Sequence, residues 1–309
     1  MNREQVLELI RETSLFKWFK KTYFQTNIKD YNQNILDNLE VNKYIKELLL
    51  NDKPTMISRI GSTELRILEN YYSHKTYSEH NKHTIEISSG VFPTDDQTLD
   101  KFAKLNFDRI SNIDLLGIWF NPFEDVVANE FCSSSKLTIL RNLEPYFSDN
   151  PWSYYLKDKK VLVIHPFISS IALQYSKREK LFKNQNVLPK FELIQYKPIQ
   201  SFAGMATDEL EYKSWFDALN KMEKDIEKID FDVAIIAAGA YGLPLASFIK
   251  DIGKKAIHLG GATQMLFGVY GKRWENHLDF KDIINENWIK PLNDEKPKTA
   301  NLLGKSSYW

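Results

Sequence analysis

From Pro54 onward the chain alternates short apolar runs with amphipathic stretches. Met56-Ile57-Ser58-Arg59-Ile60 predicts a strand that stops at Gly61, and 63–72 predicts a helix with Leu65, Leu68 and Tyr72 along one side. A second strand is predicted over 114–120, followed by a helix over 124–131. Val161-Leu162-Val163-Ile164 is a continuous run of the kind that is buried on both faces of a parallel sheet. A helix over 169–182 and a strand over 191–196 follow. A long helix is then expected over 208–229, where Trp215, Leu219, Met222, Ile226 and Ile229 step by four and three. The pattern closes with a strand at 233–237, a helix at 243–252 stopped by Gly253, a strand at 255–259, and a short helix from Thr263 after Gly260-Gly261.

Strands that alternate with helices make βαβ units. The expected fold is therefore α/β and Rossmann-like, a mainly parallel sheet with helices on both faces, spanning 51–284. Residues 1–50 read as a helical extension, with Leu7, Ile10, Leu15 and Phe16 at helical spacing and a further mixed stretch from Ile35 to Leu50. Within it, 15–21 mixes aromatic residues with lysines. That segment suits an appended helix with its lysines in solvent, or else peripheral contact with an anionic membrane surface. From about Asn285 the chain turns polar and proline-bearing, and 285–309 reads as an arm laid over the domain that ends in Tyr308-Trp309.

Composition narrows the function. The 309 residues carry 41 Lys and Arg against 41 Asp and Glu, and this neutrality argues against a nucleic-acid partner. A single cysteine, Cys132, excludes an internal disulfide and a Cys-rich zinc site. No apolar run approaches the ~18 residues of a membrane span, and the N-terminus lacks a signal-peptide core, so a cytoplasmic protein is expected.

In open parallel sheets, ligands bind beyond the carboxyl ends of the strands. Four such junctions here carry suitable chemistry. In Arg59-Ile60-Gly61-Ser62-Thr63-Glu64, glycine lets the backbone approach a ligand, Ser62 is placed to cap the next helix, and Arg59 offers a fork for phosphate. Glu64 is placed to accept a proton, bind a sugar hydroxyl or ligate a metal. His165-Pro166 ends the clearest strand. Gly239-Ala240-Tyr241-Gly242 and Gly260-Gly261-Ala262-Thr263-Gln264 are glycine turns that open helices. Lys272-Arg273 then follows as a candidate diphosphate clamp. Neither a complete G-x-G-x-x-G nor a P-loop occurs, which weakens nicotinamide, flavin and Walker-type nucleotide readings. The rim suits a nucleotide diphosphate carrying a group to transfer.

These segments resemble the GT-D-fold glycosyltransferases of bacterial surface-polysaccharide and glycoprotein glycan assembly. The likeness lies in Arg59 to Glu64, Gly239 to Pro244, and His258-Leu259-Gly260-Gly261 to Gly271-Lys272-Arg273-Trp274, within about 55–274. It implies transfer of a sugar from a nucleotide-sugar donor, with UDP-sugars first, to a glycan or lipid-linked glycan acceptor. The rim and the likeness together place donor binding at Arg59, Gly61, Ser62, His165, Gly239, Tyr241, Gly242, Gly260, Gly261, Thr263, Gln264, Lys272 and Arg273, with Glu64 the first candidate for catalytic base. Asp95, Asp96, Glu124 and Asp125 are runners-up for the base. In the family the first turn reads Arg-x-Gly-Asp-x-Glu, and its two carboxylates engage a divalent metal. Here Ser62 stands at the aspartate position, so Mn²⁺ or Mg²⁺ would rest on Glu64 alone. Without metal, Arg59, His165, Lys272 and Arg273 are the cations expected to neutralise the leaving diphosphate. Two rival readings use the same rim: a non-catalytic nucleotide- or glycan-binding module, and a pyruvyl or phosphoryl transferase.

Overall fold

The computed structural model describes residues 28–203, 211–275, 277–297, 299, 302, 308 and 309. Its centre is one eight-stranded sheet in the order β1-β4-β3-β2-β8-β7-β5-β6. The strands are β1 (Ile35–Leu36), β2 (Thr55–Arg59), β3 (Leu115–Ile118), β4 (Lys136–Ile139), β5 (Lys160–Ile164), β6 (Glu192–Tyr196), β7 (Val233–Ile236) and β8 (Lys255–His258). Every pairing is parallel. The α/β, Rossmann-like expectation is met.

Successive side chains of a strand point to opposite faces, and the core divides accordingly. Met56, Leu162 and Ile164 join one apolar cluster, whereas Ile57, Val161 and Val163 join the other. The first cluster takes the inner sides of helices α2 (Ser62–Tyr72), α4 (Asp96–Ile110), α5 (Glu124–Phe131), α7 (Trp215–Ile226) and α8 (Gly242–Asp251). The second is covered by α1 (Asn38–Leu50), α6 (Ile168–Tyr175) and α9 (Ala262–Leu266). The remaining helices are α3 (Glu79–Ser89) and the one-turn α10 (Lys272–Glu275). Among the described residues, no helix is long and apolar enough to cross a membrane.

Several boundaries differ from expectation. Residues 35–50, assigned above to an N-terminal extension, supply edge strand β1 and the packed helix α1 to this sheet. The helix expected over 208–229 starts at Trp215, where the Ser214 hydroxyl caps it by accepting from the Asp217 N–H; 208–210 lie outside the described residues. The helix expected over 169–182 ends at Tyr175, with a short 3₁₀ turn beyond. Strand β4 and helices α3 and α4 were not anticipated. The 15–21 segment lies outside the described residues.

One feature of the sheet opens the site. The ladder between β2 and β8 stops at Ile57 and Ile257. On the flanks, pairing continues to Arg59 with Gly117 and to Ile236 with His258. The chain runs outward from β2 through β3 and β4, and inward through β7 and β8, so β2 and β8 meet at the topological switch point. There the strands separate at their carboxyl ends, and a crevice forms.

Candidate active site

That crevice is a cavity of about 330 Å³, within the range of ligand pockets. Its walls come from the carboxyl ends of β2, β3, β5, β7 and β8, the end of α3, and Tyr308 and Trp309. Of the expected site residues, Arg59, Gly61, Ser62, Glu64, His165, Gly239, Gly260, Gly261 and Gln264 line it.

Arg59 is half-buried at the end of β2. Its guanidinium lies 4.9 Å from the centre of the Trp119 ring and 3.2 Å from where a side chain at Gly260 would begin. Among the described residues it forms no salt bridge, and its Nε has no hydrogen-bond partner. A cation so placed is ready for an anionic ligand.

Glu64 sits in the first turn of α2 and folds back over Gly61, where a Cβ would lie 1.7 Å from its Oε2. The Thr63 hydroxyl donates to that carboxylate at 2.8 Å and is 2.6 Å from the Ser89 hydroxyl. Glu64 is the carboxylate side chain among the lining residues. The N-cap of α2 is Gly61, with no side-chain cap, and Ser62 is the first helical residue, so the expected Ser62 cap does not form. The first-turn amides of α2 consequently remain available to ligand oxygens.

The four alternative bases do other work. The Asp95 carboxylate caps α4 by accepting from Thr98 N–H at 3.0 Å, and Asp96 pairs with Lys82 at 2.8 Å. Glu124 is wholly buried, accepting from the backbone N–H groups of Trp119 (2.9 Å) and Asn121 (3.2 Å). Asp125 lies on α5, outside the cavity wall.

His165 is on the wall but is not the cation expected. It is buried, its Nδ1 accepts from the Phe167 N–H at 2.9 Å, and burial lowers its pKa to about 3. At neutral pH it is an uncharged imidazole whose other nitrogen carries the proton.

Tyr241, Gly242, Thr263, Lys272 and Arg273 do not line the cavity. The Tyr241 ring stacks on Trp215 at 5.0 Å, and its hydroxyl meets Ser201 at 2.8 Å. The Thr263 hydroxyl is buried and donates to the Ile236 carbonyl. Lys272 and Arg273 are exposed, and Arg273 lies over the Trp274 and Tyr308 rings rather than in the cavity.

His258 was not anticipated. It ends β8 in the gap where the β2 ladder stops, buried, with Nδ1 3.0 Å from the Ser58 hydroxyl. Burial first, and the nearby Arg59 charge second, lower its pKa to about 3, while a hydrogen bond to the Arg59 backbone opposes them. A Cβ at Gly242 would lie 2.3 Å from its Nε2, so glycine there makes room for the imidazole. Its signal was in the sequence: like His165, it closes a buried strand. Trp119, Ser89, Phe167, Phe202, Tyr308 and Trp309 are among the other lining residues missed. Trp309 is brought in by the arm. Its ring packs on Phe167 and its indole N–H reaches the Glu295 carbonyl, while the Glu295 carboxylate accepts from the Ser169 and Ser170 N–H groups at the start of α6.

The first turn offers a divalent cation one carboxylate, Glu64, beside the exposed Ser62 hydroxyl, so most of the hard oxygens that Mg²⁺ or Mn²⁺ favours would have to come from substrate phosphates and water. Among the described residues, no three His, Cys, Asp or Glu side chains form a metal-binding group.

No family model and no curated protein matches this chain. A solved structure of domain of unknown function 1792, selenomethionine-substituted, is similar at a TM-score of 0.45 and 14% identity, covering 78% of this chain and 83% of that one. A likeness that slight carries nothing about activity.

Proposed function

We propose that the protein is a glycosyltransferase that moves a sugar from a nucleotide-diphosphate donor, with UDP-sugars the first candidates, to a hydroxyl of a glycan or lipid-linked glycan. The observation that carries this reading is the meeting of Arg59, without a salt-bridge partner among the described residues, and the carboxylate of Glu64 on one cavity wall at the switch point. Arg59, the first-turn amides of α2 and the Gly260-Gly261 turn receive the diphosphate. The acceptor oxygen bonds to the anomeric carbon, the bond from that carbon to the diphosphate oxygen breaks with its electron pair, and the acceptor proton passes to Glu64. Negative charge grows on the leaving group beside Arg59, in a site where burial strengthens the attraction.

A screen of UDP-, GDP-, dTDP- and CMP-sugars, each with Mn²⁺ and with chelator, tests the reading. Transfer or hydrolysis of a diphosphate sugar is the expected result, and its persistence or loss in chelator reads whether a divalent cation takes part. Binding without turnover of any donor would make the chain a binding module instead. A product carrying pyruvyl or phosphoryl mass would identify the third reading.

A further inference from the structure

The loop between β3 and α5 is costly to build. Phe120 and Phe123 both adopt left-handed backbone, with φ of 60° and 69°, although neither is glycine. Strained backbone of this kind persists where the surroundings over-determine it, and it gathers at ligand sites. The restraint here is Glu124, whose buried carboxylate gathers the N–H groups of Trp119 and Asn121. Removal from water pushes its pKa up to about 7, and among the described residues its Oε1 has no hydrogen-bond partner.

All of this fixes one ring. The Trp119 indole N–H donates to the Ile60 carbonyl at 3.0 Å, and the Arg59 guanidinium lies over the ring. Trp119 is still 38% exposed and forms part of the cavity wall. A large aromatic surface held in one orientation and left wet is a pre-organised contact for a flat or ring-shaped ligand group.

We infer that Trp119 is a stacking platform for the donor's transferred saccharide ring. The inference rests on the glycosyl-transfer reading and adds what the site recognises. Trp119 touches Arg59, the group assigned to the diphosphate, and in a nucleotide sugar the transferred sugar is bonded to that diphosphate directly. The nucleobase is separated from it by a ribose, and the ribose ring itself is held off by its exocyclic C5′, whereas the sugar carries the diphosphate oxygen on a ring carbon. The ring bonded to the diphosphate most directly is thus the sugar, whose axial C–H face suits the indole.

Calorimetric titration of a nucleoside diphosphate and of its matching nucleotide sugar into wild type, Trp119→Phe and Trp119→Ala tests this. In Trp119→Ala the nucleotide sugar should lose about tenfold more affinity than the plain diphosphate, whose own loss reads any shift of Arg59. Trp119→Phe should keep most of the sugar's contribution. Equal weakening of both ligands would move the platform to the nucleobase and overturn the inference, as would unchanged binding of both by a folded Trp119→Ala protein. If wild type binds neither ligand, the glycosyl-transfer reading itself fails and the platform falls with it.

Discussion

Strands β2 and β5 both end in a basic side chain on the cavity wall, but water treats the two differently. Arg59 stays half-exposed, stacked on Trp119 and, among the described residues, without a salt-bridge partner. His165 is buried, hydrogen-bonded to the backbone, and neutral. A guanidinium cannot shed its proton in a protein, so the fold must leave it solvated or provide an anion. An imidazole can discharge, and burial makes it do so. A place at the sheet's carboxyl rim therefore does not by itself make a side chain a ligand-binding cation. Solvation decides, and the two strand ends separate into a charged half and a neutral half of one cavity.

The sharpest break in that contrast is Glu64→Gln, which removes from the charged half the carboxylate proposed as base. Transfer should fall by roughly 10²–10⁴-fold with the circular dichroism spectrum intact, and near-normal turnover would remove Glu64 from the reaction. Arg59→Ala should weaken nucleoside-diphosphate binding by roughly 10–100-fold, read by calorimetry, because a charge-assisted contact is lost. Unchanged affinity would put the phosphates elsewhere.

On the neutral side, Gly242→Ala forces a methyl against His258 and should cost about 1–3 kcal/mol of stability in urea unfolding. Combining it with His258→Ala should recover part of that loss, whereas additive losses would show that the two positions act independently.

The smallest effect is on pH dependence. His165 and His258 both have folded pKa values near 3 against an ordinary 6.5. Below pH 6.5 the unfolded chain takes up protons that the folded chain refuses, so stability present above 6.5 is lost as pH falls toward 3. Glu124, raised to about 7, works the other way: it costs stability above its unfolded value of 4.5 and returns it as pH falls from 7. His165→Gln should flatten the acid decline by about 1 kcal/mol per pH unit, and Glu124→Gln should steepen it between pH 7 and 4.5. Urea melts at several pH values read both slopes.

Strands with unbroken apolar runs, such as the cores of β5 and β7, were legible from pattern alone, and so was the turn after β2. Strand β4 was not. Lys136-Leu137-Thr138-Ile139 becomes a strand because it pairs with β3 and because the buried Thr138 hydroxyl finds the Leu36 carbonyl at 2.9 Å, a partner 102 residues away. Helix α4 carries a buried Asn106 that satisfies itself on the Phe102 carbonyl, a solution that blurs the apolar stripe. Lys272-Arg273 looked like a clamp because adjacent cations after a glycine turn are chemically apt. Their aromatic neighbours hold Arg273 outside the cavity.

By itself, the amino-acid sequence determined the alternation of elements and the parallel sheet it requires, and it pointed to the Arg59 to Glu64 turn, which lines the cavity. These follow from residue period and local backbone preference, which act over a few neighbouring positions. Tertiary structure alone decided that β2 and β8 part after Ile57 and Ile257, that His165 and His258 lose their charge, that Glu124 is spent on holding a loop, and that Trp119, Tyr308 and Trp309 meet at the cavity. Strand order, burial and the charge state burial imposes depend on partners far apart in the chain, and no local pattern encodes them.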